Sequence, residues 1–178
     1  MTGHFQTAQT ATRFLARRPA PGQAFRLPAN LTVQGYIMAK IKIFISFDYT
    51  NDHRYKDLLV AWNMNSRFEF SFDDRTPDEI QSYNIPTIKA VLTRKIREAD
   101  CTLVIVGKEC NKPHKDRAQI GCRNWQIFEI EQSKKAGNKL IAVKLNMYNE
   151  TPVELLGSGV SWAYSFSLGA IERAIENA

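Results

Sequence analysis

The feature that most constrains the fold is the run CTLVIVG at residues 101–107, which is apolar at almost every position. A strand at a half-exposed position alternates apolar and polar side chains, whereas a strand buried on both faces is apolar throughout. Such strands are typical of the centre of a parallel sheet that helices cover on each side. The run therefore favours an α/β fold.

Segments of strand and helix character alternate on both sides of this run. The other predicted strands are KIKIFISF, RFEFSF, KLIAVKL and a short edge strand in VSWAYSF. The predicted helices are DHRYKDLLVAWNMN with Asp52 as N-cap, IPTIKAVLTRKIREA with Pro86 in its first turn, NWQIFEIEQSKKAG, and SLGAIERAIENA. This alternation predicts a three-layer α/β domain, with a parallel sheet of four to five strands and helices on both faces.

Residues 1–37 differ from the rest of the chain. They have little periodicity and a Pro/Gly turn cluster at residues 19–22, and Met38 resembles a natural start. We expect a leader or disordered extension at 1–37, from either a mis-assigned upstream start or a non-native addition, and one domain at 38–178. This segment carries four arginines and no acidic residue, so removing its charge from the net +6 leaves +2. A nucleic-acid partner is not expected, because the basic charge is not on the folded domain.

Composition and cysteine usage indicate the setting of the protein. The chain is 44% hydrophobic, but it has no run of the roughly 20 apolar residues that span a bilayer, so no membrane partner is expected. Cys101 opens the apolar run and is predicted to lie in the core. Cys110 and Cys122 flank His114 but lack the spacing of known zinc sites, so no metal is expected. A reducing cytoplasm is the predicted location.

In a parallel sheet, ligands bind beyond the carboxyl ends of the strands. That rule selects residues 46–49, residues 71–74 and the loop after Gly107. No GxGxxG or GxxxxGK[ST] motif is present, so dehydrogenase and P-loop functions lose their main support.

Glu129 is an unusual residue in the third predicted long helix. At about 100° per residue, Cys122, Trp125, Glu129, Ser133 and Ala136 share one arc, and Glu131 points the opposite way. A carboxylate near the strand ends can stabilise a developing positive charge. On spacing alone, pairing with a neighbouring Lys or Arg, or simple surface exposure, remains the alternative.

The segments KIFISFDY, CTLVIVG and NWQIFEI together resemble the Toll/interleukin receptor (TIR) superfamily. The WxxxE from Trp125 to Glu129 is similar to the W-C-x-x-E-[LI] signature of that superfamily. The first strand and GNKLIAVKLN are closer to the TIR-like sensor proteins of Thoeris antiphage defence. The resemblance covers Met38 to the C-terminus and implies a flavodoxin-like (TIR-like) fold.

The resemblance also implies an activity. In enzymes of the superfamily, the glutamate at the Glu129 position is catalytic and cleaves NAD between nicotinamide and ribose. In Thoeris-like systems the expected product is a cyclic ADP-ribose isomer, a diffusible nucleotide that activates a separate effector. NAD is then a substrate, no cofactor is required, and self-association is expected in the active state.

The resemblance implies substrate-binding roles for several other residues: Phe44, Ser46, Phe47, Asp48, Asp73 and Trp125. Three of them have a plainer interpretation: core packing for Phe44 and Trp125, and capping of the turn for Asp48. Asp73 and Asp74 are expected in the loop that mediates TIR assembly, or in a solvated turn. The chain departs from the family at Gln126, where many TIR sequences have Cys, and in the unusual loop at residues 108–121.

Two other functions remain open at this point. One is a non-catalytic TIR-like module that recognises a partner through the Asp73-Asp74 loop and its helix surfaces. The other is a different flavodoxin-like nucleotide-processing enzyme, such as a nucleoside deoxyribosyltransferase, which also places a glutamate against a ribosyl cation. No catalytic role is predicted for His53 or His114.

Overall fold

The computed structural model describes residues 40–65, 71–77, 80 and 82–178. The strands are β1 (Ile41–Ser46), β2 (Phe72–Asp74), β3 (Cys101–Val106), β4 (Lys139–Lys144) and β5 (Ser161–Ala163). The helices are α1 (Tyr49–Met64), α2 (Ile85–Arg97), α3 (Arg117–Ile120), α4 (Trp125–Ala136) and α5 (Leu168–Glu176), and a 3-10 turn spans Val153–Leu155. The strands form one parallel sheet in the order β2-β1-β3-β4-β5. The predicted α/β, flavodoxin-like fold is confirmed.

Strand β3 lies at the centre of the sheet, and all six of its residues are buried. Its side chains alternate between faces: Leu103 and Ile105 belong to the core on one side, and Val104 and Val106 to the core on the other. Cys101 is fully buried, as predicted. Burial of each large aliphatic side chain stabilises the fold by about 1.5–3 kcal/mol, which explains the unbroken apolar run.

Helices cover both faces of the sheet. Leu59 of α1 and Ile171 of α5 pack into the core on one face. On the other face Ile96 of α2 and Phe128 of α4 pack around Phe44, while Ile130 of α4 packs on β3 and β4. These contacts confirm the predicted three layers and bring the start of α4 to the carboxyl ends of β1 and β3.

Helix α1 begins earlier than predicted, because its N-cap is Asp48 and not Asp52. The backbone of Asp48 is extended, and its side chain accepts hydrogen bonds from the backbone N–H groups of Thr50 and Asn51. This is the arrangement that makes aspartate a favourable N-cap. Asp52 lies instead in the first helical turn and is buried. The alternative capping role given to Asp48 is confirmed.

The expected loop position of Asp73 and Asp74 was wrong, because both lie in strand β2. They align in parallel register with Lys42 and Ile43 of β1. The pairing extends to the end of this short strand, so the turn begins only at Arg75. Most of the predicted strand RFEFSF, at residues 67–70, and the predicted leader at residues 1–37 lie outside the described residues.

No helix in the described part of the chain combines the length and the apolar character needed to cross a bilayer.

Candidate active site

A cleft of about 600 Å³ opens at the carboxyl ends of β1 and β3. One wall comes from β1 and the start of α1, at Phe44, Ile45 and residues 47–51. The opposite wall comes from the loop after β3, including residues 112–115, and from the first turns of α4. Ile80 together with Ile88 and Leu92 of α2 lines an apolar end. The cleft therefore lies where the strand-end rule placed a site.

Glu129 lines this cleft, yet its side chain is almost fully buried. The Ser46 hydroxyl donates a hydrogen bond of 2.6 Å to Glu129 Oε2. Burial raises the pKa of Glu129 from 4.5 to about 8, and the hydrogen bond from Ser46 lowers it in part. No Lys or Arg in the described chain forms an ion pair with Glu129. The pairing and surface alternatives are therefore not what the geometry shows.

Helix α4 holds Glu129 in place from both ends. Asn124 is its N-cap, accepting a hydrogen bond from the Ile127 N–H and donating to the carbonyls of Cys110 and Lys112. One turn beyond Glu129, the Ser133 hydroxyl donates to the Glu129 carbonyl and bonds Thr102 of β3.

The arc of residues predicted to share one side of this helix was too long at both ends. Cys122 precedes the helix, and Ala136 at its last position is exposed.

Gln126 ties the start of α4 to two strands at once. Its side-chain NH₂ group donates to the carbonyl of Ile105 at 2.7 Å and to that of Ser46 at 3.3 Å. A cysteine thiol at this position, with its single weak donor, could not bridge both carbonyls. Gln126, where the chain departs from the TIR signature, thus links the end of β3 to Ser46 and, through Ser46, to the Glu129 carboxyl.

The structure brings most of the predicted site residues together. Phe44, Phe47, Asp48 and Trp125 line the cleft with Glu129, and Ser46 reaches it through its hydrogen bond. Asp73 does not line the cleft in the described structure; its carboxylate pairs with the guanidinium of Arg75. The substrate-binding roles of all six stay predictions.

A family model described as Thoeris protein ThsB, TIR-like domain, matches residues 44–150. This match covers more than half of the chain and every residue that lines the cleft. The chain belongs to the ThsB TIR-like family. The predicted resemblance is confirmed, and membership implies a role in antiphage defence. No curated protein matched the chain.

Several residues of this ThsB TIR-like cleft were not predicted. They are Lys56, Thr76, Lys112, Lys115 and the histidines His53 and His114. The ring of His53 packs against Tyr49, with centroids 5.1 Å apart, and that of His114 meets the face of Trp125 edge-on at 6.3 Å. The i, i+4 spacing of Tyr49 and His53 is a usable signal once α1 is known to begin at Tyr49. The loop after β3 offered a second signal, since it starts at a strand end.

Asp52 and Gly107 meet behind the cleft wall. Burial, with a contribution from Asp48, raises the Asp52 pKa to about 6, against a lowering by Arg54. Oδ2 of Asp52 has no hydrogen-bond partner in the described structure. A Cβ at position 107 would overlap this carboxylate, so the close approach of α1 to the end of β3 requires glycine there.

Two of the three cysteines donate hydrogen bonds within the protein. Cys110 donates to the Glu150 carbonyl and Cys122 to the Glu131 carboxylate. Among the described residues, no group of three or more His, Cys, Asp or Glu is arranged to hold a metal ion.

The raised pKa of Glu129 predicts how the stability of the ThsB TIR-like chain depends on pH. Between pH 4.5 and about 8 the folded chain retains a proton that the unfolded chain releases, so stability falls as pH rises through this range. We expect the free energy of unfolding of Glu129→Gln to equal that of wild type near pH 4. At pH 9 it should be higher than that of wild type by roughly 3–5 kcal/mol. Urea unfolding at both pH values measures this. Glu131→Gln is the matched control, and parallel curves for wild type and Glu129→Gln would contradict the assignment.

Proposed function

We propose that this chain cleaves NAD at the nicotinamide–ribose bond and forms a cyclic ADP-ribose-type nucleotide that activates a separate effector in antiphage defence. The observation that carries the proposal is the Glu129 carboxyl, buried in the wall of the cleft and hydrogen-bonded to Ser46. It stands at the WxxxE glutamate position of a chain that belongs to the ThsB TIR-like family. In this proposal the chain is an ADP-ribosyl cyclase, and it is active when several copies of it associate.

The chemistry suits a buried carboxylate. Breaking the bond expels neutral nicotinamide and leaves positive charge on the ribose, as in glycoside hydrolysis. A fixed carboxylate in a water-poor site stabilises that charge more strongly than it would in water. The nicotinamide ring of NAD is itself cationic. Its arrival beside Glu129 therefore favours the ionised carboxylate, even though burial raises the pKa of that group in the free protein.

The lining of the cleft affects which group attacks the ribose once nicotinamide has left. Water would give ADP-ribose, whereas an adenine nitrogen or a ribose hydroxyl of the same molecule gives a cyclic isomer. The apolar end at Ile80, Ile88 and Leu92 offers no hydrogen-bonding side chains to hold water. A cleft of about 600 Å³ is within the usual range for sites that enclose a small molecule. The apolar lining favours attack from within the folded dinucleotide, because it holds water poorly.

Mass spectrometry of NAD incubated with concentrated protein tests the proposal. We expect nicotinamide and a cyclic isomer of ADP-ribose to accumulate, with free ADP-ribose as the minor product. Parallel incubations contain an extract of phage-infected cells, in case the enzyme needs its trigger, and others contain deoxynucleosides. Absence of NAD cleavage under all conditions would favour a non-catalytic module, and base exchange on deoxynucleosides alone would favour a deoxyribosyltransferase.

Ser46→Ala is expected to lower NAD cleavage about tenfold at pH 7, because loss of a hydrogen bond to a charged group is worth about 1.5–3 kcal/mol. Without the Ser46 hydroxyl, which lowers the pKa of Glu129, less of the carboxyl is ionised at pH 7. The deficit should shrink at pH 9, so kcat/KM is measured across pH 6–10. Ser158→Ala removes a hydroxyl that bonds the Glu154 carbonyl away from the cleft lining, and it serves as control. A loss equal at all pH values would show that Ser46 acts in another way.

A further inference from the structure

One wall of the cleft is basic. The sequence KPHK at residues 112–115, here called the basic wall, places Lys112, His114 and Lys115 in the cleft lining. This segment belongs to the unusual loop after β3, so its chemistry is a property of this chain and not of the WxxxE motif.

Backbone hydrogen bonds fix the basic wall. The His114 N–H donates to the Arg123 carbonyl at 2.8 Å, and the Asn124 side chain donates to the Lys112 carbonyl at 3.0 Å. His114 Nδ1 accepts a hydrogen bond from the Asp116 N–H. A neutral imidazole with Nδ1 as acceptor carries its proton on Nε2, so that nitrogen is a donor. The anchored backbone keeps two ammonium groups and one imidazole donor beside Trp125.

The lysine charges of the basic wall are available to a ligand. Lys115 forms no hydrogen bond or ion pair with any described residue. Lys112 has a single ion pair, with Glu109 at 3.5 Å, and its side chain is 69% exposed. Such an exposed pair stabilises by at most about 1 kcal/mol and is easily exchanged for a ligand.

Besides Glu129, two carboxylates among the described residues share this lining: Glu109, which pairs with Lys112, and Asp48. The Asp48 carboxylate is occupied in capping α1. The amino end of α4, at Trp125, also lines the cleft. Helix amino ends favour anions, and lysines are common partners of phosphate. The cleft therefore combines the buried Glu129 carboxyl with a separate wall whose charge favours anions.

We infer that the basic wall binds the diphosphate of a dinucleotide whose ribose lies at Glu129, with Lys112 and Lys115 as its charged ligands and His114 as a neutral donor. The inference rests on the proposed function for the identity of that dinucleotide. Trp125 is one turn before Glu129 in α4 and contacts His114, so the ligand would cross its ring between the two sites. Nucleosides without a diphosphate would lack this contact.

Calorimetric titration of the full chain with ADP-ribose at low salt tests the inference. ADP-ribose carries the diphosphate but no nicotinamide to release. We expect Lys112→Gln/Lys115→Gln to raise the Kd of ADP-ribose at least tenfold, as loss of charge-assisted hydrogen bonds should. Lys135→Gln is the matched control, because Lys135 is exposed in the last turn of α4 and does not line the cleft. It should leave the Kd within about twofold.

An unchanged Kd in the double variant would overturn the inference, and so would absence of ADP-ribose binding to wild type at millimolar concentration. The result is independent of turnover. If NAD is cleaved but the double variant binds ADP-ribose as wild type does, only the inference fails. If the double variant loses binding but NAD is never cleaved, the basic wall stands and the proposed enzyme does not. Thermal unfolding of each variant verifies that it is folded.

Discussion

Glu129→Gln is expected to lower NAD cleavage by about 10²–10³-fold, the range measured when one preorganised charge-stabilising group is removed from an active site. Glutamine has the shape of glutamate and can accept the same hydrogen bond from Ser46. It carries no negative charge at any pH. The substitution thus removes the electrostatic stabilisation of the ribosyl cation while it preserves the packing of α4.

Release of nicotinamide, followed by chromatography, measures this loss. Glu131→Gln is the matched control, since it makes the same chemical change two residues along the same helix, where the side chain bonds Cys122 outside the cleft lining. It should retain near wild-type activity. The kcat/KM of wild type should rise with pH until about 8, because the free enzyme must lose the Glu129 proton. Equal cleavage by both variants would place catalysis elsewhere.

Gly107→Ala is expected to destabilise the fold by about 1–3 kcal/mol, as overpacking of a buried contact does. The reason is space and not backbone conformation, because Gly107 is not among the glycines with positive φ. Its missing side chain leaves room for the Asp52 carboxylate, which a Cβ would overlap. Asp52 lies in the first turn of α1, between Asn51 and His53, which both line the cleft. ADP-ribose binding should weaken together with stability.

The double variant Asp52→Ala/Gly107→Ala tests this cause. Removing the carboxylate makes room for the added methyl group, so Gly107→Ala should cost less than about 0.5 kcal/mol in the Asp52→Ala background. Gly169→Ala in α5 is the control, because its Cβ would meet only the flexible end of Arg173, at 3.5 Å. That change should be neutral or stabilising, as alanine favours helix. Urea unfolding measures the free energy of unfolding of wild type, the two single variants, the double variant and Gly169→Ala. Equal costs of Gly107→Ala in both backgrounds would exclude the Asp52 overlap as the cause.

Much of the fold and the position of the site followed from local sequence patterns. The apolar run at residues 101–107 predicted the central strand because burial on both faces demands it. The strand-end rule then predicted where a ligand would bind. The first residue of α1 was missed because two aspartates, four positions apart, both suit an N-cap. Local propensity cannot choose between the two aspartates, because the position at which β1 ends determines which of them immediately precedes α1.

The contacts that give the site its chemistry could not be predicted from spacing. The hydrogen bond between Ser46 and Glu129 joins residues 83 positions apart, and its partners become known only when β1 and α4 are packed. The basic wall was missed for a related reason. A polar loop has no periodicity, so the direction of Lys112, His114 and Lys115 depends on hydrogen bonds made to Arg123 and Asn124.

The bridge made by Gln126 has a consequence for how the proposed enzyme would be regulated. Since its amide joins the ends of β1 and β3 to α4, separating Ser46 from Glu129 would also disturb these two hydrogen bonds. The position of the Glu129 carboxyl is therefore set by the packing of α4 on the sheet. For the proposed enzyme, we therefore expect regulation to act at the outer walls of the cleft, on the access of the dinucleotide to Glu129.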